Sequence, residues 1–113
     1  MAEGDGGVRL IYMTAGSIAA AEALGQALVA ERLAACVNLL PGMRSLYWWD
    51  GAVQQDSEVV VIAKTRADLV DRLAARVAEL HDYDCPCVVA VPIAGGHGPF
   101  LDWIAAQTAN ATD

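Results

Sequence analysis

The chain has 113 residues, with seven Lys plus Arg against fourteen Asp plus Glu, a formal charge of -7, and 56% hydrophobic residues. A single domain of this length buries roughly two thirds of the surface its unfolded chain exposes, and the acid excess repels phosphate backbones, so nucleic acid is excluded as the expected partner. The start shows no basic segment followed by an apolar one, and no apolar run approaches the ~18 residues of a membrane span, so no membrane partner is expected and the reading places the protein in the cytoplasm.

Residues 1 to 7 are polar and Gly-rich, and these, with 108 to 113, are expected to fray; the whole of 1 to 113 reads as one domain. Val8 to Thr14 reads as a strand. Ser17 can cap a helix over Ile18 to Ala35, where Ile18, Ala21, Leu24 and Leu28 share one face and Gly25 is a weak point. Cys36 to Leu40 opens a second strand that Pro41-Gly42 must bend or bulge, since Pro supplies no ladder donor.

Asp50-Gly51 is a two-residue hairpin signal of type I′, which needs positive φ at both central positions. That turn sets Trp49 against Ala52, Trp48 against Val53, Tyr47 against Gln54, Leu46 against Gln55, Ser45 against Asp56 and Arg44 against Ser57. The ribbon runs on to Val59–Ala63, well beyond the usual strand of about 5 to 6 residues. A lone protomer exposes Tyr47, Trp48 and Trp49 beside unpaired edges, and packing against other subunits resolves both problems.

Thr65-Arg66-Ala67-Asp68 fits a capping box for a second helix with Leu69, Leu73, Val77 and Leu80 on its buried stripe. Asp68, Asp71, Arg72, Arg76 and Glu79 fall largely off that stripe and read as a solvated face. Val88 to Ile93 is a last strand, and Gly98-Pro99 opens a short helix carrying Phe100, Leu101, Trp103 and Ile104. Two βαβ crossovers joined by a hairpin give an α+β, ferredoxin-like split βαβ sandwich, with both main helices on one face of an antiparallel sheet and the other face in need of a cover.

Glu31-Arg32-Leu33-Ala34-Ala35-Cys36-Val37-Asn38, Pro41-Gly42, Ser45-Leu46-Tyr47-Trp48-Trp49, Gly51, Glu58, Lys64-Thr65, Tyr83, Pro86 and Trp103-Ile104 are spread over most of the chain. Taken together, these segments resemble the CutA family of divalent-cation tolerance proteins. The resemblance implies a ferredoxin-like protomer in a tight homotrimer, similar in architecture to the PII signalling proteins, with a role in tolerance to copper and other divalent metals. It also implies copper ligands late in the first strand and just ahead of the family's HPYxxPE segment, positions held here by Met13 and His81. The chain departs from that segment: Asp82 stands for a proline and Cys87 for a glutamate.

Cys85 and Cys87 lie two apart, so in an extended chain, which Pro86 favours, both thiols project to one side. With His81 they suit copper(I) or zinc, and Asp84 or Met13 offers a further donor. Cys87 also fits as a small buried hydrophobe, and His81 as a helix-end cap. The three cysteines are expected as thiols rather than a disulfide framework, with Cys36 in the core. Gly95-Gly96-His97-Gly98 reads equally as an anion nest or a plain connection. No nucleophile, base and orienting residue stand at a recognisable spacing, so no enzyme and no organic cofactor are expected.

These readings combine into a homotrimer whose partners are itself and metal ions. Copper or another divalent ion is held by Met13, His81, Cys85 and Cys87, and the interface is anchored by Tyr47, Trp48, Trp49 and Trp103. The other reading is a PII-like trimer that binds a small effector or a partner protein at its subunit clefts.

Overall fold

A computed structural model describes residues 7 to 111. The chain runs β1 (Val8–Ala15), α1 (Ile18–Ala30), β2 (Cys36–Trp49), β3 (Ala52–Arg66), a 3₁₀ turn (Ala67–Leu69), α2 (Val70–Leu80), β4 (Val88–Pro92) and α3 (Gly98–Gln107). The strands form one sheet in the order β2-β3-β1-β4, every neighbouring pair antiparallel. This is the expected ferredoxin-like split βαβ topology.

β1 fixes the two faces, because successive side chains on a strand point to opposite sides. Ile11 and Met13 are fully buried and pack with Val61, Ala63, Ala21, Leu24, Leu28, Leu73 and Val77, so α1 and α2 cover this face. On the opposite face Leu40, Val89 and Val91 are exposed. Its lower end is sealed, where α3 sets Ile104 and Leu101 against Val8, Ala35 and Ile93.

The ribbon follows the register expected from the turn, pair for pair from Arg44↔Ser57 to Trp49↔Ala52, with the ladder shifting between Leu40 and Met43 across Pro41-Gly42. Asp50 and Gly51 both have positive φ, 55° and 76°, as type I′ requires. Strands of 14 and 15 residues outrun the helices, so the ribbon tip projects from the body. Trp48 there is 74% exposed.

Four expectations are corrected. α1 stops at Ala30, five residues early, in a Schellman ending: the Leu33 N–H donates to the Leu28 carbonyl, and the N–H of Arg32, at φ 60°, donates to that of Val29. Thr65 caps nothing, since its buried hydroxyl donates to the Leu33 carbonyl at 2.7 Å. Ile18 and Leu80, expected in the core, are exposed at helix ends. Arg76, expected on a solvated face, reaches across to Glu31 at the end of α1 through Nε and Nη2, each at 2.9 Å. Of the expected frayed segments, residues 1 to 6 and 112 to 113 lie outside the described residues. Thr108 is fully buried, its hydroxyl donating to the Ile104 carbonyl at 2.9 Å.

Candidate functional site

Where the ribbon leaves the body, the uncovered face of the sheet folds into a cleft of about 390 Å³. Its floor is β3, whose Asp56 and Glu58 are two apart and so share a face. The register places Asp56 opposite Ser45, which puts Tyr47 and Trp49 on that same face as one wall. Thr14 at the end of β1 closes the base, and the segment after α2 supplies the other wall with Tyr83, Asp84, Cys85 and Cys87.

Two phenol–carboxylate pairs organise this lining. The Tyr83 hydroxyl donates to Glu58 Oε1 at 3.1 Å, and the Tyr47 hydroxyl donates to Asp56 Oδ2. Burial, then the bond to Glu58 and the charges of Glu58, Asp82 and Asp56, push the Tyr83 phenol up to about 12. Tyr47 is raised as well, first by its bond to Asp56. Burial and then the charge of Glu58 raise the Cys87 thiol. Among the described residues no Lys, Arg or His side chain lines the cleft, so its potential is negative.

The four expected metal ligands do not form one set: Met13 and His81 lie apart from the cleft that Cys85 and Cys87 line. Met13 is 0% exposed on the helix face, across the sheet from Thr14, and its neighbours in the ladder are Val61 and Val88. The run Leu10-Ile11-Tyr12-Met13 hides this from the sequence, because it lacks the polar alternation that tells one face from the other. The His81 side chain is 3% exposed and both its ring nitrogens are engaged. Nδ1 accepts from the Tyr83 N–H at 3.0 Å, which leaves Nε2–H to donate to the Thr14 carbonyl at 2.8 Å. His81 therefore ties the segment after α2 to β1 and positions Tyr83, whose ring lies 4.4 Å from its own. Its side chain does not cap the helix; its backbone N–H does, donating to Val77.

Cys85 and Cys87 are brought together, both exposed as free thiols and both lining the cleft, while Cys36 is half-buried in β2. Among the described residues, no group of three or more His, Cys, Asp or Glu side chains is arranged to hold a metal ion. Asp56, Glu58 and Tyr83 are site residues absent from the expected ligands and interface. The signal for the two acids is the hairpin register, which places Asp56 on the face of Tyr47 and Trp49.

Of the other expected interface residues, Trp48 points away from the cleft beside Leu46 and Val53, all three exposed, and Trp103 stacks on Phe100 on the outside of α3 at 5.6 Å. A smaller cavity of about 230 Å³ lies on the helix side, between the start of α1 and the end of α2, with Leu80 in its wall. Among the described residues no helix is long and apolar enough to cross a membrane.

The family model described as CutA1 divalent ion tolerance protein matches residues 9–107. The chain is 43% identical over 99 residues to "Protein CutA 1, chloroplastic" of Oryza sativa subsp. japonica, a match covering 88% of this chain but only 56% of that relative's length. It is 42% identical to the "Divalent-cation tolerance protein CutA" of Thermus thermophilus, covering 88% of this chain and 96% of the relative. The solved structure of the divalent cation tolerance protein from Thermus thermophilus superposes with a TM-score of 0.87 at 42% identity, over 89% of this chain and 98% of that one.

Proposed function

The chain belongs to the CutA1 divalent ion tolerance family, and on that premise we propose that it is a homotrimeric, metal-binding protein that contributes to metal tolerance through the cleft on its outer sheet face. One observation carries this reading: two free thiols, Cys85 and Cys87, line a single cleft with Asp56, Glu58 and Asp84 and without a cationic side chain. Thiolates select soft ions, and the acidic wall draws cations toward them. Copper, bound as copper(I), is the ion this donor set favours. Two thiolates can hold copper(I) alone, so the engaged His81 and the buried Met13 are not needed. The role proposed is binding rather than catalysis, and free thiols fit a reducing compartment such as the cytoplasm.

The trimer rests on two surfaces that a lone protomer leaves bare. The outer sheet face presents Leu40, Val89 and Val91, and the ribbon presents Leu46, Trp48 and Val53. Apolar patches of this kind, beside unpaired strand edges, favour burial in an assembly.

A competition titration of reduced protein against a copper(I) chelator tests the metal reading. The expected result is one ion per subunit, with affinity lost in the Cys85→Ser/Cys87→Ser variant. Unchanged affinity in that variant would remove both thiols from the site. A second reading, capture of a small organic effector, is favoured by one feature that a metal ion does not require, the rings of Tyr47, Trp49 and Tyr83 on the two walls of the cleft.

A further inference from the structure

We propose that the cleft binds an aliphatic diamine or polyamine, held by Asp56 and Glu58 at its ammonium groups and by Tyr47, Trp49 and Tyr83 along its methylene chain. The inference rests on the effector reading of the cleft and is independent of the thiols.

The chemistry of the lining selects this class. Among the described residues the lining holds three carboxylates and no cationic side chain, which excludes anions and favours cations. A metal ion would use the carboxylates and thiols but leave three rings without a purpose, whereas rings beside carboxylates attract organic ammonium groups through their π-faces. Each phenol donates to a carboxylate, Tyr83 to Glu58 Oε1 and Tyr47 to Asp56 Oδ2. Those bonds orient the acids, leave Glu58 Oε2 and Asp56 Oδ1 to accept from an ammonium, and enrich the rings that face the cation. A quaternary ammonium, lacking N–H, would waste these acceptors.

Spacing then points to two ammonium groups. Residues two apart on a strand lie about 6 to 7 Å apart on one face, the separation of the terminal nitrogens in an extended four-carbon diamine. A volume of about 390 Å³ accommodates such a chain and falls within the range of small-molecule sites.

Isothermal titration of the full, reduced, chelator-treated protein with 1,4-diaminobutane tests this, with 1-aminobutane and Mg²⁺ at matched ionic strength as references. The expected result is saturable binding at one diamine per subunit, about tenfold or more tighter than the monoamine, since a second charge-assisted contact is gained. Trp49→Leu should weaken it about fivefold to tenfold and Trp49→Phe far less. Glu58→Gln should weaken it at least as much, while Cys85→Ser/Cys87→Ser should keep diamine binding and lose copper(I). Should Trp49→Leu disturb assembly, native mass spectrometry will show it, and Trp49→Phe against Glu58→Gln then decides. Equal binding of diamine, monoamine and Mg²⁺, or diamine binding indifferent to Trp49 and Glu58, would overturn the proposal. So would loss of diamine binding in the thiol variant; loss of copper(I) binding alone bears only on the metal reading.

Discussion

Tyr83 and Cys87 keep their protons for a shared reason: both are partly desolvated and both face the charge of Glu58. A folded-state pKa raised above the unfolded value contributes stability that is full below the unfolded pKa and is lost as pH rises through the folded one. For Tyr83 that window runs from its usual value of 10.0 up to about 12. Absorbance titration of the phenols should therefore show a late transition that Tyr83→Phe removes and Glu58→Gln moves down. For Cys87 in a Cys85→Ser background, alkylation should accelerate with pH about a midpoint above that of an ordinary thiol. Glu58→Gln should lower that midpoint, and an unmoved midpoint would mean that Glu58 does not govern the thiol. Arg32 holds φ 60°, a conformation costing most residues roughly 1 to 2 kcal/mol, and its guanidinium donates to the Gln107 carbonyl at 3.0 Å, tying α1 to α3. Arg32→Ala should keep the backbone cost and lose the tie, lowering thermal stability, whereas Arg32→Gly should recover about 1 kcal/mol of that loss. A stop of this kind was illegible in the sequence, because Gly is the usual marker of a helix end and Arg is not. His81 was legible as a candidate, but its tie to the Thr14 carbonyl spans 67 residues and has no local signature.

The long ribbon was the most legible element, because a type I′ turn dictates the pairing of every residue beyond it and Pro41-Gly42 mark the bulge. Its consequence for the site was also within reach, since the register groups Asp56 with Tyr47 and Trp49. The start of the second helix differs from the capping-box expectation for a physical reason: the Thr65 hydroxyl has a buried carbonyl to satisfy at Leu33, and a buried acceptor outweighs an exposed cap. Gly25 reads as a weak point in α1, yet it sits where a side chain would meet β2, with an added Cβ lying 3.1 Å from Val37 Cγ1. The glycine exchanges helix propensity for close packing of helix on sheet. Gly25→Ala should gain little or lose stability alone, but should gain about 1 kcal/mol in a Val37→Ala background, where the propensity term is free to act. Denaturation of the four members of that cycle measures the coupling, and additive effects would show that Val37 does not limit α1.

At the scale of the molecule, the sheet has one covered face and one bare face, and the cleft opens on the bare one. The same apolar residues that demand partners, Leu40, Val89 and Val91, therefore lie on the face that carries the cleft. Assembly and ligand binding are expected to be linked: whatever binds the proposed trimer should raise its apparent stability by mass action. Trp48→Glu, at a position 74% exposed in the protomer, should weaken the trimer and shift its sedimentation toward smaller species. An unaltered trimer would take Trp48 out of the interface. The most direct test is native mass spectrometry of the reduced protein with limiting copper(I), which reads subunit number and bound ions in one spectrum. The expected result is a trimer that fills to one ion per subunit and is emptied, still trimeric, by Cys85→Ser/Cys87→Ser. A trimer that stays empty, or one that keeps its ions without those thiols, would contradict it.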